Sequence, residues 1–475
     1  MLRNWCEFLS PEDIEEIHKT SVKLLEKVGV RFPHADALAT FKAHGFEIVD
    51  QKVYLRERQV MDALASVPGQ FTIHARDPGR DVVVGDGNTV LVPGSGAPYL
   101  VVPDVGMRVP DLADYHNIAR LAHLLPNMDM TGHMMVMPSD VPAHQSHLYM
   151  LHASIVHSDK PFCGSVAGET EARQTMEMVS ILFGEDAASL MGERPVTLGG
   201  VNSLTPLGYG VEMIEALMVY ARWRQPLMIG AAAMAGATAP ITLAGLLAVQ
   251  NAELLAGITL TQLISPGTPV IYGSASGNMD MKTASLAIGS PEFSLLTSAH
   301  AQIARTYGLP CKAGGALTDS HSPDVQAGCE CMLGLVTAVN SGVDLIVHAA
   351  GILSSFKAFS YEKFVLDDEV CGMVRRYRRG IQVNPDTLAY DLIAQVGPGG
   401  NYLTEAHTIE RCRTAFWIPE IFGREGLEAW VAGGRPRAND RLWQRWQTLL
   451  AEHRDPPLDK TIARQLQDYV EDKIL

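Results

Sequence analysis

Apolar positions along this chain follow two different rhythms. Near the N-terminus, "SPEDIEEIHKTSVKLLEKVGV" repeats its apolar residues at helical spacing. Ser10 is placed to cap that helix, Pro11 fits its first turn, and Glu12 and Asp13 complement its dipole. The short runs "QFTIHARD", "DVVVGDG" and "TVLVPGSGAPYLVVPDVG" read as strands punctuated by Gly, Pro and Asp. Residues 1–110 therefore predict a small α+β portion.

Beyond residue 110 the rhythm changes. Brief apolar runs recur: "MDMTGHMMVM", "PFCGSVAG", "PVTLGGVNS", "PLMIGAAAMAG", "PVIYGSAS", "PCKAGGALTDS", "VDLIVHAAG" and, more weakly, "GIQVN". Between them lie helical patterns such as "ETEARQTMEMVSILFG" and "TLAGLLAVQNAELLAGITLTQLI". Strands alternating with helices imply parallel pairing through helical crossovers, and eight such units predict a (β/α)8 TIM barrel over residues 111–385. "GIQVN" supplies the eighth strand. Residues 386–475 predict a helical extension whose tryptophans and leucines pack on the barrel.

Composition narrows the function classes. The chain has 475 residues, a net charge of −15 and 47% hydrophobic content, which allows a large core and argues against a nucleic-acid binder. No run of about 18 consecutive apolar residues appears, so no membrane span is expected. The N-terminal stretch lacks a signal-peptide core. Seven scattered cysteines fit reduced thiols in a cytoplasmic protein better than a disulfide framework.

In a barrel, chemistry gathers at the C-terminal ends of strands. The residues there are small: Gly164-Ser165, Gly199-Gly200, Gly273-Ser274 and Gly314-Gly315 predict a wide mouth. His348 ends the run "VDLIV" and is assigned to that mouth. Asn202 either caps an Asx turn or offers a polar contact there. Gln326 and Glu330 lie one helical turn apart, and Glu330 is either an ordinary exposed charge or a site residue. Phe356, Phe359 and Tyr361 of "SSFKAFSYEKF" are candidate rings of an aromatic cage for a quaternary ammonium, with helix packing the alternative for two of the three, and Tyr99 is a further aromatic near a likely loop. The histidines of "AHQSHLYMLHASIVH" have no accompanying carboxylate and read as structural or interface residues, so no metal site is expected.

Several motifs together resemble the trimethylamine methyltransferase superfamily: "LGGVNSLTPLGYG", "AGATAPITLAGLLAVQNAELLAG", "PGTPVIYGSASGNMDMKT", "GSPEFSLL" and "GGALTDSHSPDVQAGCE". The resemblance covers nearly the whole chain. It implies a TIM barrel that passes a methyl group from a methylated amine to cob(I)alamin on a partner corrinoid protein, with no cofactor bound by this chain itself. Founding members carry pyrrolysine; this sequence has only standard residues, which implies a quaternary amine, glycine betaine first. In that reading His348 and Asn202 serve the transfer, and Tyr99, Gln326, Glu330, Phe356, Phe359 and Tyr361 hold the substrate. A homo-oligomer is expected. The competing expectations are a non-catalytic betaine-binding barrel and a methyltransferase for another N-methyl or sulfonium compound.

Overall fold

The computed structural model describes residues 5–102, 106–184, 187–190 and 194–474, with the side chains of 187 and 188 outside that description. Residues 103–105, at the end of one N-terminal strand expectation, lie outside it too. The N-terminal helix spans Pro11–Lys27, and the Ser10 hydroxyl accepts the Asp13 N–H in a capping box, as the sequence suggests. Two further helices, Ala35–Ala43 and Glu57–Leu64, pack with a three-stranded antiparallel sheet.

The centre of the molecule is a curled, seven-stranded parallel sheet. Its spatial order is Val90–Val92, Leu345–Val347, Cys311–Gly314, Val270–Ser274, Leu227–Ala231, Thr197–Asn202 and Phe162–Cys163. The two edges approach one another across residues 129–131. The Asp129 N–H donates to the Leu91 carbonyl, the Thr131 N–H to Pro161, and the Cys163 N–H to Thr131. Thr131 and Phe162 form a parallel bridge. "GIQVN" contributes nothing to this sheet: residues 381–383 form no strand and are exposed. "MDMTGHMMVM" likewise supplies no strand, only isolated bridges at Thr131 and Val136. Val90–Val92, expected in the N-terminal portion, instead joins the central sheet, paired parallel with Leu345–Val347.

Strand alternation divides the core in two. Leu91, Val201, Ile229, Tyr272, Ala313 and Ile346 face the surrounding helices. Val90, Val92, Cys163, Leu198, Ile271, Leu345 and Val347 face the enclosed side, together with Met130. The hairpin of Gln70–Ile73 and Val82–Gly85 adds Phe71, Ile73, Val82 and Val84 to that inner cluster and closes one end of it with hydrocarbon.

Among the described residues, one helix, Leu243–Ile264, is long and apolar enough to cross a membrane by composition, but 83% of its apolar window is buried in this fold. It is a core helix, apolar all round because it is surrounded. All seven cysteines are free. In the C-terminal region, the helices Ala438–Glu452 and Lys460–Ile474 bury Leu442, Leu449, Leu466 and Val470 as expected. Between residues 381 and 432 only Ile421 is buried, so the packing expectation fails for that arm.

Candidate functional site

The register of the parallel strands builds a slot. Asn202 pairs with Gly230, Gly230 with Gly273, and Gly273 with Lys312. Residues in one such row face the same side of the sheet. The row therefore carries two polar side chains separated by two positions without any side chain. Asn202 leans into the gap: a Cβ on Gly230 would lie 2.6 Å from its Oδ1. Below the slot, the inner face becomes apolar at Leu198 and Ile271, and the row itself ends in hydrocarbon at Leu345, the partner of Lys312. Solvent reaches into the slot, since Gly200 and Met228 keep partial exposure and Asn202 is exposed.

Lys312 was not singled out by sequence reading. It is buried, and its Nζ donates to the Ser274 carbonyl at 3.2 Å, at the end of the neighbouring strand. Burial pushes its pKa down to about 8. Among the described residues no carboxylate is in ion-pair contact with it. A buried ammonium without a counter-charge carries a desolvation cost that an anionic ligand would relieve.

His348 stands at the end of the next strand with φ of +62°, and this left-handed turn of the backbone takes it off the strand path. Its Nδ1 accepts the Ser95 N–H at 3.2 Å, so the neutral ring carries its proton on Nε2. Burial first, then the charge of Lys312, pushes its pKa down to about 3. It is thus a neutral donor at physiological pH. Its ring meets Phe356 edge-on, with centroids 4.9 Å apart. Phe356, like Ser354 and Ser355 before it, has positive φ, so a strained turn holds it against the histidine.

The loop after Asn202 is held by a buried carboxylate on the core helix. Glu253 accepts from the hydroxyls of Ser203 and Thr205, and from the Leu207 N–H at 2.7 Å. Burial raises its pKa.

The remaining sequence candidates divide. Tyr99 is exposed and its strand pairs with Ala358, beside Phe356. Phe359 is fully buried, edge-on against Phe364, and fills the core. Tyr361 stacks on Trp446 and donates to Asp114 Oδ1 at 3.0 Å, fixing the C-terminal helix. Neither ring is free to face a cation, and the expected three-ring cage contracts to Phe356. Glu330 accepts from the Thr318 hydroxyl at 2.5 Å and the Asp319 N–H at 2.8 Å, which makes it a brace for the loop after Cys311–Gly314. Gln326 is exposed and donates to Glu330 Oε1. The sequence did hold a signal for Lys312, a lysine in the middle of an apolar strand, yet its pairing with Asn202 depends on strand register.

A family model described as trimethylamine methyltransferase (MTTB) matches residues 3–474. The chain is 44% identical over 462 residues to the glycine betaine methyltransferase of Desulfitobacterium hafniense (strain Y51), covering 97% of this chain and 96% of that one. It is 34% identical over 487 residues to the proline betaine:corrinoid methyltransferase of Eubacterium limosum, covering 98% of each. It is 31% identical to the L-carnitine:corrinoid methyltransferase of the same organism, over 89% of this chain and 88% of that one. Among solved structures, the hydroxylamine complex of MtmB superposes with a TM-score of 0.55 at 12% identity, covering 100% of this chain and 89% of that chain, a likeness of fold.

Proposed function

The chain belongs to the trimethylamine methyltransferase family, and from that premise we propose that it moves a methyl group from a quaternary amine, glycine betaine first, to cob(I)alamin held by a partner corrinoid protein. The observation that carries the substrate assignment is the slot between Asn202 and Lys312. A betaine has a fixed cation at one end and a carboxylate at the other. The Lys312 ammonium supplies the counter-charge for the carboxylate, and the Asn202 amide supplies a neutral donor. The methylated nitrogen then lies toward His348 and Phe356, whose ring face suits a cation that cannot donate a hydrogen bond.

The chemistry asks little acid–base work of the protein. As the methyl group passes to cobalt, the C–N bonding pair stays on nitrogen, and the product amine leaves neutral without needing a proton. The residues of this chain bind, orient and exclude water. Neutral His348 is suited to that role, because a protonated ring would repel the substrate. The glycines of the row keep the mouth broad enough for a large planar partner to approach.

In the same reading the sheet completes an eight-membered (β/α)8 ring through residues 129–131, whose hydrogen bonds to Leu91 and Pro161 support closure. The division at residues 110 and 385 is kept, except that Val90–Val92 goes with the ring. The exposed apolar arm between 381 and 432 supports a homo-oligomer, with the arm covered by a second copy. Seven free cysteines support a cytoplasmic setting. The test is product analysis: with a reduced corrinoid protein, glycine betaine should be converted to dimethylglycine. Absence of product from glycine betaine and from every other betaine tried would refute the assignment.

A further inference from the structure

The histidine-rich helix Ser146–His157 ends against the C-terminal tail, at a cluster that shares no residue with the slot. Asp455 lies in the link between the helices Ala438–Glu452 and Lys460–Ile474. Its Oδ1 is 2.5 Å from His157 Nδ1 and 2.8 Å from His453 Nε2. One donor atom from each of the three residues lies within 4.8 Å of the others. The side chains of His157 and His453 are 95% and 94% buried, whereas that of Asp455 is 49% exposed.

A single carboxylate oxygen receives both imidazoles, so three potential ligand atoms converge on one point. His453 Nδ1, on the opposite edge of its ring, is buried without a partner. The other nitrogen of His157 is engaged, 2.7 Å from His116 Nδ1. That is the arrangement in which a second imidazole orients a metal-binding one.

We propose that His157, His453 and Asp455 form a binding site for a borderline divalent cation of the Zn²⁺, Co²⁺ or Ni²⁺ class, which pins the C-terminal tail to the body of the protein. Two imidazoles and one carboxylate match the ligand preferences of these ions, and bonds of about 2.0–2.2 Å place tetrahedral ligand atoms about 3.4 Å apart. The present Asp455 contacts, 2.5 and 2.8 Å, are about 0.6–0.9 Å shorter than that. The half-exposed Asp455 has room to retreat by that difference, and the solvent side leaves a fourth position for water. The histidines of "AHQSHLYMLHASIVH" read as structural or interface residues in the sequence because no carboxylate accompanies them; the one that does, Asp455, lies 298 residues beyond His157.

The test uses the full chain, stripped with a chelator and titrated with Co²⁺. One equivalent should bind, with the visible d–d absorption of a four-coordinate site, and Zn²⁺ should displace it. Asp455→Asn and His453→Gln should each weaken binding by at least about tenfold, the lower end for perturbing a metal's ligand environment. Zn²⁺ should raise the Tm of the wild-type chain but not of D455N, and D455N alters only a half-exposed side chain, so it should fold. The proposal is overturned if the stripped wild-type chain binds no stoichiometric Co²⁺, or if D455N binds it as tightly as the wild type.

Discussion

At the scale of single residues, the account turns on Lys312 and His348. Lys312→Met should raise the KM for glycine betaine by roughly 10- to 100-fold, the loss of one charge-assisted contact. It should leave kcat less affected, because the carboxylate does not take part in bond breaking. A pH series gives a second check. Lys312 is charged below about 8 and loses its charge above it, so attraction for the substrate is present at neutral pH and fades as pH rises. KM should climb above pH 8, toward tenfold per unit. Stability of the free protein should move the other way: between about 8 and the ordinary lysine pKa of 10.5 the unfolded chain binds the extra proton, so folding gains with pH. His348, held near 3, should impose no transition between pH 5 and 7. His348 was legible in the sequence because it ends an apolar run. Lys312 was not, because a lysine inside "PCKAGG" shows its direction only once the strand faces are known.

At the scale of elements, the loops around the slot are tied to the helices behind them. In helix Tyr361–Arg378, Lys363 donates to Asp367 and to the Ala316 carbonyl at 3.1 Å, and Asp367 accepts the Gly351 N–H at 2.8 Å. One fully buried ion pair therefore holds the loops that follow two neighbouring strands, including the turn that sets His348. Lys363→Met should destabilise the fold by about 3–5 kcal/mol, because it strands a buried carboxylate. The double variant with Asp367→Leu should recover much of that loss, measured by denaturant unfolding. The alternation of short apolar runs with helices revealed the parallel sheet. The errors lay at the edges of the sheet: Val90–Val92 was placed outside the barrel, "GIQVN" forms no strand, and "MDMTGHMMVM" contributes only isolated bridges at Thr131 and Val136. Val90–Val92 was grouped with the N-terminal portion because another small sheet, including Tyr99–Val102, intervenes before the helix Leu112–Leu124. "GIQVN" is apolar enough to imitate a strand, but its apolar residues lie on the exposed arm.

At the scale of the whole molecule, two surfaces ask for partners. The arm between 381 and 432 exposes Ile381 at 90% and Leu403 at 81%, along with Tyr390 and Phe416. Isolated chains rarely leave such a stretch in water. Light scattering should give the mass of an oligomer, and charged substitutions at Leu403 and Phe416 should lower it to that of one chain. A single-chain mass for the wild type would count against the homo-oligomer. The other surface is the mouth of the slot, whose glycines and inward Asn202 were half legible: the small residues could be read directly, but their alignment into one row required the register. The central claim is methyl transfer from a quaternary amine to the partner's corrinoid. Its most direct measurement is the absorbance of cob(I)alamin on a reduced corrinoid protein after this chain and glycine betaine are added together. The cob(I)alamin band should decay only when both are present, and should decay far more slowly with K312M at low betaine. A band that persists with glycine betaine and with every other betaine would contradict the account.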